Sequence, residues 1–129
     1  MSKLTYVDFA EDEVTYLQVA YCMGLRYNAM VAQAQRVCEC YLKQLIVNSL
    51  LTNNDMMFEH NLRALYVFIS DNLKYDLTPI HSDILLLSNF YMNTRYPGKD
   101  AYMARTEDID VAYRPICNIQ RYLKQFFKG

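Results

Sequence analysis

The chain is poor in the residues that form tight turns, since its 129 residues include only three glycines and three prolines. A protein built from many β-strands needs a turn roughly every 8 to 12 residues, and such turns are rich in Gly and Asn. Hydrophobic residues make up 53% of the sequence, which is enough for one core in a chain of this length. We therefore expect residues 1–129 to form a single all-α domain.

The hydrophobic residues recur with the period of an α-helix. The clearest series alternates steps of four and three residues, which keeps its members on one helical face: Tyr27, Val31, Ala34, Cys38, Tyr41 and Leu45. Similar series indicate one helix before this segment and three after it. Short connections between five amphipathic helices predict an up-and-down antiparallel bundle of four to five helices.

Capping residues and helix breakers give the expected boundaries of the first three helices. The first is predicted to begin at Asp8, as the N-cap of a capping box with Glu11; Gly24 is expected to break it or to loosen the turn. The second is predicted to end in the polar loop 48–54, and the third to start at about Glu59.

The last two helices have similar signals. Thr78 is a suitable cap and Pro79 suits the first helical position of the fourth helix, which is expected to end before Pro97. Thr106 is expected to cap the final helix, whose first turn is acidic. Pro115 lies inside that helix and predicts a kink.

The overall charge and hydrophobicity bear on nucleic acids and membranes as partners. The net charge is −1, so no overall field attracts nucleic acid or an acidic membrane, and any such contact must be local. No segment contains the roughly 20 consecutive apolar residues that span a bilayer. The first residues also lack the apolar core of a signal peptide. We expect a cytoplasmic protein that does not contact a membrane.

The sequence contains no standard catalytic or metal-binding motif. A zinc site usually needs two closely spaced ligand pairs, and here only Cys38 and Cys40 are close in sequence. On a helix, residues two apart point to different faces. His60 and His81 are the two histidines, too few for a multi-histidine centre. We therefore expect no metal and no cofactor.

Two segments are candidates for ligand binding. His60 and Asn61 open the third helix, where an imidazole and free backbone N–H groups favour a phosphate; alternatively, His60 holds the preceding loop. In the second segment, residues 91–98, Arg95 offers a planar fork for a phosphate, and Tyr91 or Tyr96 offers a ring for a base. Alternatively, Arg95 interacts with the last carbonyls of its helix.

These segments, in this order, resemble the HEPN family (higher eukaryotes and prokaryotes nucleotide-binding domain). The resemblance covers residues 12–124 approximately. It rests on the long second helix around Ala34–Leu45, on His60-Asn61-Leu62 at the start of the next helix, and on Thr94-Arg95-Tyr96-Pro97-Gly98.

The resemblance implies a bundle of four to five helices that forms a homodimer. It also implies nucleotide binding, or action with a small nucleotidyltransferase partner in prokaryotic two-gene toxin–antitoxin systems. Carried over by position, His60, Arg95, Tyr96 and Pro97 would line the characteristic cleft or dimer groove of the family. Together with Asn61 and Tyr91 they form the predicted ligand-binding set, for a nucleotide or RNA ligand.

One branch of the family consists of metal-independent ribonuclease toxins with an Arg-x4–6-His motif, in which Arg stabilises the phosphate and His moves a proton. The required positions upstream of the two histidines hold no Arg: they are Asn53, Asn54 and Asp55, and Lys74, Tyr75 and Asp76. The departure favours a non-catalytic nucleotide-binding or regulatory module. The alternatives are a ribonuclease toxin and a ligand-free helical module for protein interactions.

Overall fold

The computed structural model describes residues 4–49, 54–89 and 105–127. These ranges form an all-α bundle, as predicted. In chain order its helices are α1 (Tyr6–Cys22), α2 (Ala29–Asn48), α3 (Asn54–Met57), α4 (Leu62–Asn72), α5 (His81–Ser88) and α6 (Thr106–Leu123), with 3-10 turns at Thr78–Ile80 and Lys124–Phe126. None of the described helices combines the length and hydrophobicity needed to cross a bilayer.

Helix α2 is the centre of the bundle and packs against α1, α4, α5 and α6. Its predicted stripe is confirmed, since five of its members are fully or almost fully buried: Val31, Ala34, Cys38, Tyr41 and Leu45. Tyr27 is the exception, because it precedes the helix and is largely exposed. Helix α2 is therefore surrounded on most sides, which explains its broad apolar surface.

Helix α1 begins three residues earlier than predicted. Thr5 is the N-cap: its hydroxyl accepts from the Asp8 N–H at 3.2 Å, and the Asp8 carboxylate accepts from the Thr5 N–H at 2.7 Å. Asp8 thus closes a capping box, and the prediction that it is the cap was wrong. The predicted break at Gly24 is confirmed, because Gly24 adopts a φ of 86°, which favours glycine.

The other boundaries differ by a few residues. Helix α4 starts at Leu62, after an Asn61 cap, and not at about Glu59. Helix α2 ends at Asn48, where the loop 48–54 was predicted to begin, and the short helix α3 already starts at Asn54; residues 50–53 lie outside the described residues. Thr78 begins a 3-10 turn before α5 and does not cap it. The expected end of the fourth helix before Pro97 lies outside the described residues.

Helix α6 packs against α2 and α5 and completes the core with Ile109, Ile116, Ile119 and Leu123. Thr106 is its first residue, and Arg105 takes the cap position that was predicted for Thr106. The Arg105 N–H donates to the Asp108 carboxylate at 3.0 Å, so the acidic first turn completes the cap. The helix continues without interruption through the buried Pro115.

Candidate functional site

The start of α4 is held by two polar side chains. The Asn61 side-chain oxygen accepts from the Ala64 N–H at 3.1 Å, as expected of an N-cap. One carboxylate oxygen of Glu59 accepts from the N–H groups of His60, at 3.2 Å, and Asn61, at 3.1 Å. The backbone around His60 is therefore held by hydrogen bonds to the side chains of Glu59 and Asn61.

The exposed His60 side chain contacts a buried pair of charged residues on α2. Its Nδ1 lies 3.0 Å from Oε2 of Glu39, and Nζ of Lys43 donates to the same oxygen at 2.9 Å. Lys43 is only 4% exposed and Glu39 9%, whereas the His60 side chain is 58% exposed. We call these three residues the Glu39 cluster.

The cluster orients the imidazole. Because an ionised carboxylate can only accept hydrogen bonds, Nδ1 of His60 carries the hydrogen shared with Glu39. The remaining nitrogen, Nε2, has no hydrogen-bond partner among the residues that the structure describes. In the neutral ring Nε2 accepts a hydrogen bond, and in the protonated ring it donates one. The site therefore presents one oriented, chemically adaptable nitrogen.

A groove runs along the outer side of α4, next to the cluster. Its volume is about 630 Å³. Asn61 and Arg63 lie at its beginning and Asp71 and Asn72 at its end, while Val67 and Phe68 provide the apolar middle. Glu59 lies beside Arg63 at the first end, so the groove combines an ion-forming end, an apolar middle and a polar second end, and it can take a ligand that has an aromatic ring and hydrogen-bonding groups.

The structure brings two of the six predicted ligand-binding residues together. His60 and Asn61 lie side by side at the start of α4, although the Asn61 side chain is occupied as a cap. Tyr91, Arg95, Tyr96 and Pro97 lie outside the residues that the structure describes.

Glu39 and Lys43 were not among the site residues predicted from the sequence. Their spacing of four residues on one helix was a visible signal for an ion pair. Gln35 lies one turn before them and is also buried, and its Nε2 donates to the Leu87 carbonyl at 2.7 Å. Helix α2 therefore has a buried polar row that its hydrophobic period does not reveal.

A second polar cluster joins the end of α1 to α6. The Tyr21 and Tyr113 rings stack with centroids 3.7 Å apart, and the Arg26 guanidinium lies 3.6 Å from the centre of the Tyr21 ring. The Tyr21 hydroxyl donates to Asp110 at 2.5 Å, which lowers the pKa of that carboxyl, with smaller contributions from Arg26. Each of these groups is paired within the protein, so the cluster acts as a tie between helices.

The cysteines are unpaired thiols, and no group of three or more His, Cys, Asp or Glu residues in the described ranges is arranged to hold a metal. Burial raises the pKa of the Cys38 thiol far above its usual value and that of Cys40 to about 11. Both thiols are therefore protonated at neutral pH, as expected of cysteines that pack between helices.

The sequence matches the family model described as HEPN domain over residues 5–124. Neither a curated protein nor a solved structure shows a significant match to the chain.

Proposed function

The chain belongs to the HEPN domain family, and from this premise we propose that it is a non-catalytic nucleotide-binding or regulatory module. In this proposal it forms a homodimer and acts with a small nucleotidyltransferase. The observation that supports the nucleotide-binding part best is the attachment of an exposed imidazole to buried charges in the Glu39 cluster.

Such an arrangement is not needed for packing. Burying an ion pair is costly, and apolar residues of similar size often give equal or greater stability at such positions. The Glu39–Lys43 pair nevertheless lies in the interior of the bundle, and Glu39 also contacts the imidazole of His60, which is exposed to solvent. Orientation of a histidine by a carboxylate is a common feature of binding and catalytic sites.

The neighbouring groups suit a nucleotide. A phosphate at the start of α4 would receive hydrogen bonds from His60 Nε2 in its protonated form and from the exposed Arg63. The ring of the base would lie against Val67 and Phe68 in the middle of the groove. The absence of Arg at the required positions upstream of His60 and His81 supports a binding role over ribonuclease activity.

A ligand-free interaction module is the second candidate, because the outer face of α1 exposes large apolar side chains, among them Phe9, Tyr16 and Val19. Apolar groups that share one helical face are typical of a protein contact. The two candidates differ in their response to ligands, since only the first predicts stabilisation by a small molecule.

Thermal unfolding with ATP, GTP, CTP, UTP, NAD or a short RNA tests the proposal. A ligand at 100 times its Kd adds about 2.7 kcal/mol, which for a domain of this size raises the Tm by roughly 8 °C. His60→Ala and Arg63→Ala should remove the shift, and Arg95→Ala tests the predicted residue beyond the described ranges. Arg121→Ala, at an exposed position on α6, is the control and should keep the shift. Unchanged melting with every ligand would overturn nucleotide binding by the isolated protein.

A further inference from the structure

Helix α1 is apolar on two sides. Its inner side packs into the core through Ala10, Val14 and Leu17. On the outer side, four large apolar residues remain more than half exposed: Phe9 (55%), Tyr16 (64%), Val19 (54%) and, at the C-cap, Met23 (72%). Within the described residues, only the inner side of α1 is buried in the core.

The outer residues follow the period of a helix–helix seam. Phe9, Tyr16 and Met23 are seven residues apart, and Asp12 and Val19 occupy the intermediate positions. Alternating steps of three and four residues match the a and d positions of a coiled coil. Asp12 is exposed and has no hydrogen bond or ion pair with any residue in the described ranges. We call these five residues the α1 seam.

The seam is self-complementary under a two-fold axis. When two copies of α1 pair antiparallel, Phe9 lies opposite the partner's Val19, and Asp12 lies opposite the partner's Tyr16. The same two contacts then repeat on the other side of the axis, as a symmetric interface requires. We propose that the α1 seam is the homodimer interface of this protein and that two copies pair through antiparallel α1 helices.

Charge favours this orientation. In a parallel pair the two Asp12 carboxylates would face each other in an apolar seam, which is unfavourable. In the antiparallel pair each carboxylate accepts a hydrogen bond from a tyrosine hydroxyl of the other protomer. Glu13, which flanks the seam, is already paired with Arg36 within its own chain, so its charge is compensated where the protomers meet.

The end of the seam has a matching groove. Leu4, Phe9 and Val47 line a cavity of about 490 Å³ between the start of α1 and the end of α2, beside Thr5. In the antiparallel register Thr5 lies opposite the partner's Met23. The flexible Met23 side chain, exposed in the single chain, would thus enter an apolar groove of the second copy.

The available area fits a reversible dimer. Large side chains bury about 150–250 Å² each, so the exposed parts of the four apolar seam residues supply roughly 400–500 Å² per protomer. A standard interface uses about 800 Å² per partner. The seam supplies about half of that, and the groove and the flanking residues add to it.

Sedimentation equilibrium of the full chain tests the interface. Tyr16→Asp places a second carboxylate opposite Asp12 and should weaken the dimer at least thirtyfold. Asp12→Leu makes the seam continuous and should tighten it about tenfold. Val111→Asp, at an exposed position on α6, is the matched control and should leave dimerisation unchanged.

Cross-linking tests the orientation. Thr15 is exposed and lies between positions 12 and 16, so the two Thr15 residues flank the axis on one side. Thr15→Cys in a Cys22→Ser background should give a covalent dimer with a short bismaleimide, and Ser70→Cys in the same background should not.

The inference rests on the homodimer in the proposed function, and the results distinguish a failure of the homodimer from a failure of the α1 seam as its interface. A wild-type chain that stays monomeric at about 0.5 mM, well above a micromolar Kd, overturns both the homodimer and the seam. A dimer that is insensitive to Tyr16→Asp and Asp12→Leu, without a Thr15→Cys cross-link, overturns the seam alone. Dimerisation that responds in opposite directions to the two substitutions supports the inference, whatever the nucleotide assay shows.

Discussion

Replacement of Glu39 by methionine should be one of the most damaging single changes on the polar face of α2. At 2.9 Å and an effective dielectric constant of about 20, the attraction between Glu39 and Lys43 is roughly 6 kcal/mol, before the cost of burying the two charges. Removing one partner leaves the other charge unpaired, and such changes cost about 3–5 kcal/mol. The charge left behind is that of Lys43, whose side chain is only 4% exposed, so we expect a loss of at least about 3 kcal/mol.

Companion variants separate the loss of the ion pair from the loss of either side chain alone. Lys43→Met should cost only about 1–2 kcal/mol, since His60 can still pair with Glu39. The double variant Glu39→Met with Lys43→Met should lie within about 1 kcal/mol of wild type, because no charge is left unpaired. Lys74→Met, at an exposed position, is the control and should stay within about 0.5 kcal/mol.

Urea unfolding followed by circular dichroism measures these differences, and thermal unfolding should show Glu39→Met melting roughly 10 °C below wild type. Equal stability of Glu39→Met and the exposed control would refute the buried ion pair. A double variant that loses the sum of both single effects would also refute it, because the two sites would then be independent.

Three further predictions concern single positions. Asn61→Ala should cost about 1 kcal/mol in urea unfolding, because the Ala64 N–H loses its cap, whereas Asn61→Asp should retain most of the stability. Gly24→Ala should cost about 1 kcal/mol through its positive φ alone, since an added Cβ would meet no atom within 4 Å; a larger loss would contradict this. The raised pKa of Cys40, about 11, means that about one molecule in a thousand carries the Cys40 thiolate at pH 8. Iodoacetamide should therefore modify the exposed Cys22 first. The rate of Cys40 modification should rise roughly tenfold for each pH unit towards pH 10. Mass spectrometry of the alkylated peptides would show equal rates if Cys40 were not buried.

The pKa of Cys40 also has a consequence for stability. Because burial raises it in the folded state, the neutral thiol favours folding below the unfolded pKa of about 8.5, and this contribution is lost as the pH rises towards 11. Alkaline conditions should therefore both destabilise the fold and expose the thiol.

The helices of the core could be predicted from the sequence because their burial repeats every three to four residues. Val31, Cys38 and Leu45 were assigned to one face of α2, and all three are fully buried. The same reasoning placed Tyr27 on that face, but a residue before the first helical turn does not share the orientation of the helix.

Helix starts were less predictable, because capping signals overlap. Thr5 and Asp8 form one possible capping box, and Asp8 and Glu11 form another in the same stretch. The first is the one that forms, and α1 gains a further turn as a result. Glu11 is used elsewhere, since its carboxylate accepts from Tyr41 and Gln120. Local sequence does not reveal such long-range partners.

The site was predictable only in part, for the same reason. His60 and Asn61 stand out because they open a helix, a position with recognisable chemistry. Glu39 and Lys43 look like an ordinary solvent-exposed pair until α4 packs beside α2 and buries them. Their role depends on tertiary contacts between residues 21 positions apart, for which a single sequence has no periodic signal.

An NMR titration of the ¹⁵N-labelled protein with nucleotides tests whether a nucleotide binds at the start of α4. We expect the largest chemical-shift changes at the backbone amides of residues 59–65 and at the ring of His60, and we expect these changes to be lost in His60→Ala. Shift changes confined to other helices, or none with any nucleotide at concentrations of about 1 mM, would contradict a nucleotide site at the start of α4.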